Sequence, residues 1–142
     1  MATIQQLLTS NQTITITLDS LADGASAVSS TINNSSTLYI GADVQITFRT
    51  GAAVSGSGTL DVYMLRCLDG TGTAFDTDNP STATLIDNFP AVDNATDYTV
   101  SMSIEVLPSR WQLMVVNSTG DALDSTPANF SVIFEGKKLS TV

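Results

Sequence analysis

Residues 36–48, "STLYIGADVQITF", decide the fold. Every second side chain from Leu38 is apolar: Leu38, Ile40, Ala42, Val44, Ile46 and Phe48 fall on one face, with Asp43, Gln45 and Thr47 between them. Period two held over this length is the pattern of a half-buried strand, because successive Cβ atoms of extended chain point to opposite sides.

The same period recurs on both sides of this stretch. Upstream, "TITITL" (13–18) alternates Ile14, Ile16 and Leu18 with threonines, and after the turn "DSLADG" the weaker "ASAVSSTI" (25–32) suits a sheet edge. Downstream, "TLDVYMLRCLDG" (59–70) puts Leu60, Val62 and Met64 opposite Tyr63, Leu65 and Cys67. "TATLID" (82–87) reads as a short strand, and "NFPAVDNATD" (88–97) as a turn cluster. "YTVSMSIEV" (98–106) aligns Tyr98, Val100, Met102, Ile104 and Val106, and "RWQLMVV" (110–116) and "FSVIFEGKKL" (130–139) complete the series.

About eight short strands, with no amphipathic helix and no fixed repeat, predict an all-β antiparallel β-sandwich, jelly-roll-like. An immunoglobulin-like sandwich is the runner-up, without the paired cysteines that would strengthen it. The expected organisation is an N-terminal arm over 1–12 and a single β-sandwich domain over 13–142; 142 residues suit one core.

Hydrophobic residues make up 42% of the chain and charged ones 13%, and no apolar run approaches membrane-spanning length. The net charge of −9, from 14 acids and five bases, opposes attraction to nucleic acid or an anionic bilayer, so neither is an expected partner. One cysteine allows no internal disulfide, and "MATIQQLLTSNQ" lacks a basic start and a long apolar core; synthesis in a reducing cytoplasm is expected. The sequons at Asn11, Asn33, Asn34, Asn94, Asn117 and Asn129 are what an Asn-, Ser- and Thr-rich chain produces by chance.

Reaction chemistry finds little support. The chain has no histidine, which removes Ser/His/Asp and Cys/His systems together with the commonest metal ligand. Asp76 with Asp78, and Asp121 with Asp124, are spaced as ordinary turn formers, so no catalytic residue is assigned. The loop from Asp69 to Asn79 gathers oxygen ligands of the kind calcium prefers, but not in the EF-hand order; no metal or cofactor is expected. Cys67 reads as a small core residue.

Trp111 alternates with Leu113 and Val115 and should share their core-facing side, its indole N–H reaching a backbone carbonyl; a sugar-stacking or interface platform is the competing reading. Arg110 then points to solvent or a neighbouring subunit. Two further surfaces are candidates for partners. Ile4, Leu7 and Leu8 precede the first strand and need cover, from the domain's own flank or from a neighbouring chain. Lys137 and Lys138 hold two of the five basic charges near a strand end, where lysines guard against edge pairing or meet an acidic partner.

Four patterns then carry a resemblance: "LDSLADG" (18–24), "GSGTLDVY" (56–63), "LPSRWQL" (107–113) and "GDALDST" (120–126). Together with the strands between them, over about residues 16–136, they resemble a group of small structural proteins of tailed bacteriophages. The resemblance implies a non-enzymatic virion protein, made in the host cytoplasm and carried on the capsid exterior. As a decoration (cement) protein it would stabilise the mature head by binding the major capsid protein, often as a homotrimer. Its alternative is a tail or baseplate accessory that adsorbs to host glycans.

Overall fold

The computed structural model describes residues 4–51, 58–67, 75, 82–91 and 97–141. The strands are β1 (Ile4–Leu8), β2 (Gln12–Thr13), β3 (Ser26–Val28), β4 (Ile32–Asn33), β5 (Gly41–Phe48), β6 (Thr59–Arg66), β7 (Thr84–Pro90), β8 (Tyr98–Ile104), β9 (Arg110–Ser118) and β10 (Ser131–Thr141). They form two antiparallel sheets. Sheet A runs β1-β10-β5-β8 with β2 also on β10, and sheet B runs β3-β9-β6-β7 with β4 also on β9. Taking β1 with β2, and β3 with β4, as single interrupted strands makes eight. The sheets are then first-eighth-third-sixth and second-seventh-fourth-fifth, the strand order of a jelly roll.

The core lies between the sheets, where the period-two pattern sends it. Sheet A contributes Ala42, Val44, Ile46 and Phe48 from β5, Met102 and Ile104 from β8, and Val132 and Phe134 from β10. Sheet B answers with Leu60, Val62 and Met64 from β6 and Trp111, Leu113 and Val115 from β9. The outer face of sheet A is polar and paired across strands: the Thr47 and Thr99 hydroxyls are 3.1 Å apart, and Gln45 Nε2 donates to Ser101 Oγ at 3.4 Å.

Several local expectations are corrected. Segment 14–18 leaves the ladder after β2, because the chain changes sheets there: Ile14 N–H bonds Val132 O of sheet A, while Thr15 O accepts from Ser30 N–H on the sheet B side. Ile14 and Leu18 remain buried without a strand around them. β7 continues through Asn88 and Phe89 to Pro90, where a turn was expected; it is an edge strand, which tolerates a proline at its end. β5 starts at Gly41, not Leu38. Buried Asn34 accepts from Tyr39 N–H (2.7 Å) and donates to Tyr39 O (2.8 Å), and this clamp turns the chain so that Tyr39 points inward while Leu38 and Ile40 are exposed. Cys67 is half-buried beside Phe75 at the end of β6 rather than within the core.

Candidate functional site

The N-terminal apolar residues and the C-terminal lysines, separate in the sequence, meet in one ribbon. β1 pairs only with the last part of β10, Leu7 opposite Lys138 and Leu8 opposite Lys137, whereas β5 leaves β10 at the Lys137–Gly41 pair. Beyond that point two strands stand without a third. A two-stranded ribbon is marginal in water unless something packs on it.

Alternation continues along the ribbon. Val132, Phe134 and Gly136 face the core, so Lys138 and its partner Leu7 continue the inner face, and Lys137 and Leu139 continue the outer one with Leu8, Gln6 and Ile4. Ile4, Leu7, Leu8 and Leu139 are all exposed. At the same end of the sandwich, Leu38 and Ile40 precede β5 and Val106 follows β8; Ile40 is tied there by its N–H to Lys137 O and its carbonyl to Leu107 N–H. Of the nine large hydrophobic side chains exposed among the described residues, seven therefore gather at one end. Apolar surface concentrated in this way marks interaction sites rather than random exposure.

Leu38 adds a second signal. It sits at φ 54°, a left-handed conformation that costs a bulky residue about 1 kcal/mol or more, and its side chain is 71% exposed, so burial does not offset the strain. The sequence marked Leu38 and Ile40 as core because their period matched the strand; the Asn34 clamp that rotates them outward is a local side-chain contact with no periodic signature.

The charged candidates separate. Lys137 is engaged within its own chain: its ammonium lies 2.5 Å from Asp43 Oδ1 and 3.3 Å from Ser103 Oγ, and the Ser103 hydroxyl also donates to Asp43. Burial alone would raise the Asp43 pKa; hydrogen bonds from Lys137 and Ser103, with the Lys137 charge, outweigh it and hold the carboxyl below its ordinary value. Lys138 is exposed. Arg110 is half-buried at the start of β9, opposite Asn33 in sheet B, whereas the ribbon strands belong to sheet A.

Trp111 is fully buried and meets Phe134 edge-on, ring centroids 5.7 Å apart. The core reading holds and the exposed platform does not. The expected carbonyl partner is missing, however: Nε1 has no hydrogen-bond partner among the described residues. Asn34 and Asn117 are buried with their amides engaged, which removes two of the six sequons as modification sites. The calcium-like loop lies outside the described residues except for Phe75; among the described residues no group of three or more metal-ligating side chains forms.

A shallow groove of about 260 Å³ crosses the outer face of sheet A, lined by Asn11, Asp43, Gln45, Ser101 and Glu135 with Ile133. Val44 and Phe134 also border it, but Phe134 is buried, so the polar side chains dominate its walls and no exposed aromatic ring stands among them.

No family model and no curated protein matches the chain. Among solved structures it is similar to the C-terminal CBM6 of LamC, a marine laminarinase from Zobellia galactanivorans (13% identity, 94% of this chain and 99% of that one, TM-score 0.47). It is also similar to a family 35 carbohydrate-binding module from an environmental isolate (15%, 95% and 90%, 0.46) and to a chain of the Israeli acute paralysis virus particle (16%, 97% and 73%, 0.35). All three TM-scores are below 0.5, so the jelly roll rests on the strand order of this chain itself.

Proposed function

We propose that this chain is a non-enzymatic structural protein of a virus particle, a decoration protein that attaches to the major capsid protein of an assembled shell and stabilises it. The observation that carries this reading is the gathering of Ile4, Leu7, Leu8, Leu38, Ile40, Leu139 and Val106 at one end of an otherwise polar, acidic sandwich. A module that must stay dispersed before assembly and then dock in one orientation needs such a division. The exposed Leu38 supports it: the turn at φ 54° is used to send Tyr39 inward, yet an apolar side chain rather than a glycine or asparagine stands there, 71% exposed, where a partner can use it. The phage-like motifs over 16–136 point the same way. A ligand that binds only the mature shell stabilises it by mass action, and many copies on one lattice add by avidity.

Immunogold electron microscopy of virus particles from the source culture tests the reading. Label spread over heads supports decoration, and a variant with Ile40→Asp and Val106→Asp should then lose shell occupancy while keeping its fold. Label confined to tails moves the assignment to an adsorption accessory, for which the polar groove on sheet A is the candidate glycan surface. Protein present in infected cells but absent from purified particles refutes both.

A further inference from the structure

We propose that β1 is a self-pairing edge, at which a second copy of this chain adds its own β1 antiparallel about a two-fold axis through Gln6. The inference does not rest on the shell assignment; it gives Ile4, Leu8 and Leu139 to the second copy and leaves Leu7, Leu38, Ile40 and Val106 for a shell.

Thr9 N–H bonds Gly136 O, and Thr9 stands in register with Gly136 along the β1–β10 ladder. Thr9, Leu7 and Gln5 therefore turn their backbone groups toward β10, and the alternate residues Ile4, Gln6 and Leu8 turn theirs to the open edge. No described residue bonds to those edge groups. An antiparallel mate centred on Gln6 satisfies all of them: Gln6 faces Gln6, and Ile4 of each copy faces Leu8 of the other. In that register Ile4 and Leu8 also become cross-strand neighbours on one face, beside Leu139, so the apolar side chains cover one another.

The occupant follows from charge and from the absence of guards. β1, "IQQLL", has no charge, proline or bulge, the devices that normally protect an edge. Of the edges of the other sheet, β7 carries Asp87, Pro90 and a register slip and β3 is only three residues long; β8, the second edge of sheet A, carries none of the large exposed hydrophobic side chains that β1 does. The first carboxylate in the chain is Asp19, and the strand beside β1 brings Lys137 and Lys138. Two copies with a net charge of −9 can meet at this edge without setting carboxylate against carboxylate across it. Such an isologous contact closes with two copies, where the phage resemblance led to an expectation of three.

Sedimentation equilibrium of the full chain over about 1 to 100 μM tests this. A mass approaching twice 14.9 kDa is expected; a single-chain mass throughout, or a trimer, overturns the proposal. Gln6→Lys and Gln6→Glu each place like charges across the axis and should weaken the dimer about fivefold or more. An equimolar mixture of the two should restore association, which an unfolded or merely destabilised ribbon would not do. Undiminished dimers of both variants, or no recovery on mixing, also overturn it.

Discussion

The ring of Tyr39 rests against the backbone of Gly136, so closely that a Cβ at the glycine would lie 2.6 Å from the ring. The same ring meets Phe134 edge-on, centroids 6.3 Å apart, and its hydroxyl accepts from Gln12 Nε2 at 2.9 Å. Tyr39 thus closes the core at the end from which the ribbon departs, and only a residue without a side chain leaves it room. Gly136→Ala should displace the ring and cost about 1 to 3 kcal/mol in urea denaturation, the usual range for overpacking.

Trp111 combines a large buried surface with an N–H that finds no acceptor among the described residues. Trp111→Ala should cost about 3 to 5 kcal/mol. Trp111→Phe should cost less than half of that, because it keeps an aromatic ring against Phe134 and removes a buried donor that has no acceptor. Equal losses for the two variants in denaturant titrations would mean that the indole N–H is satisfied.

Asn34 holds both backbone groups of Tyr39 and also accepts from Thr37 Oγ1 at 2.9 Å. Asn34→Ala leaves those groups buried and unpaired, and should destabilise by about 2 kcal/mol or more. The measurement is the thermal midpoint, with Asn33→Ala, at an exposed neighbouring position, as the control.

Leu38→Gly separates strain from function. Glycine accepts φ 54° freely, so stability should hold or rise by up to about 1 kcal/mol, although the greater freedom of glycine in the unfolded chain offsets part of the gain. Shell occupancy should fall under the decoration reading. A variant that loses stability would show that the Leu38 side chain packs on the domain.

Asp43 and Asp124 both titrate below the ordinary aspartate value. For Asp124 the chief cause is the backbone N–H of Thr126, helped by the Thr126 side chain and Asn129. A carboxylate depressed in the folded state contributes stability above the unfolded pKa of about 3.9, and that contribution disappears as pH falls through the folded value. Melting temperature should therefore fall on acidification below about pH 4, less steeply in Asp43→Asn with Asp124→Asn than in the wild type.

Much of the sandwich was legible because burial on one face imposes a period that the sequence displays directly. Val44, Ile46 and Phe48, Leu60 through Met64, and Trp111 with Leu113 and Val115 all lie where their alternation put them. The pattern misled where a local interaction broke the register: at Leu38 and Ile40 the Asn34 clamp intervenes, and at 14–18 the chain crosses between sheets with its apolar residues still inward. The candidates Ile4, Leu7, Leu8, Lys137 and Lys138 were visible singly from composition. Their union in one ribbon was not, because pairing between distant segments leaves no mark in either.

The sequence by itself determined the all-β class, the polar and acidic surface and most of the core, since each follows from residue type and a period of two read over a few positions. Only the tertiary structure decided that strands β1 and β10 pair, that Lys137 is held by Asp43, and that the exposed apolar side chains share one end. Those outcomes depend on contacts between segments far apart in the chain. Which of the possible pairings survives is settled by the closure of the whole jelly roll, not by any stretch within it.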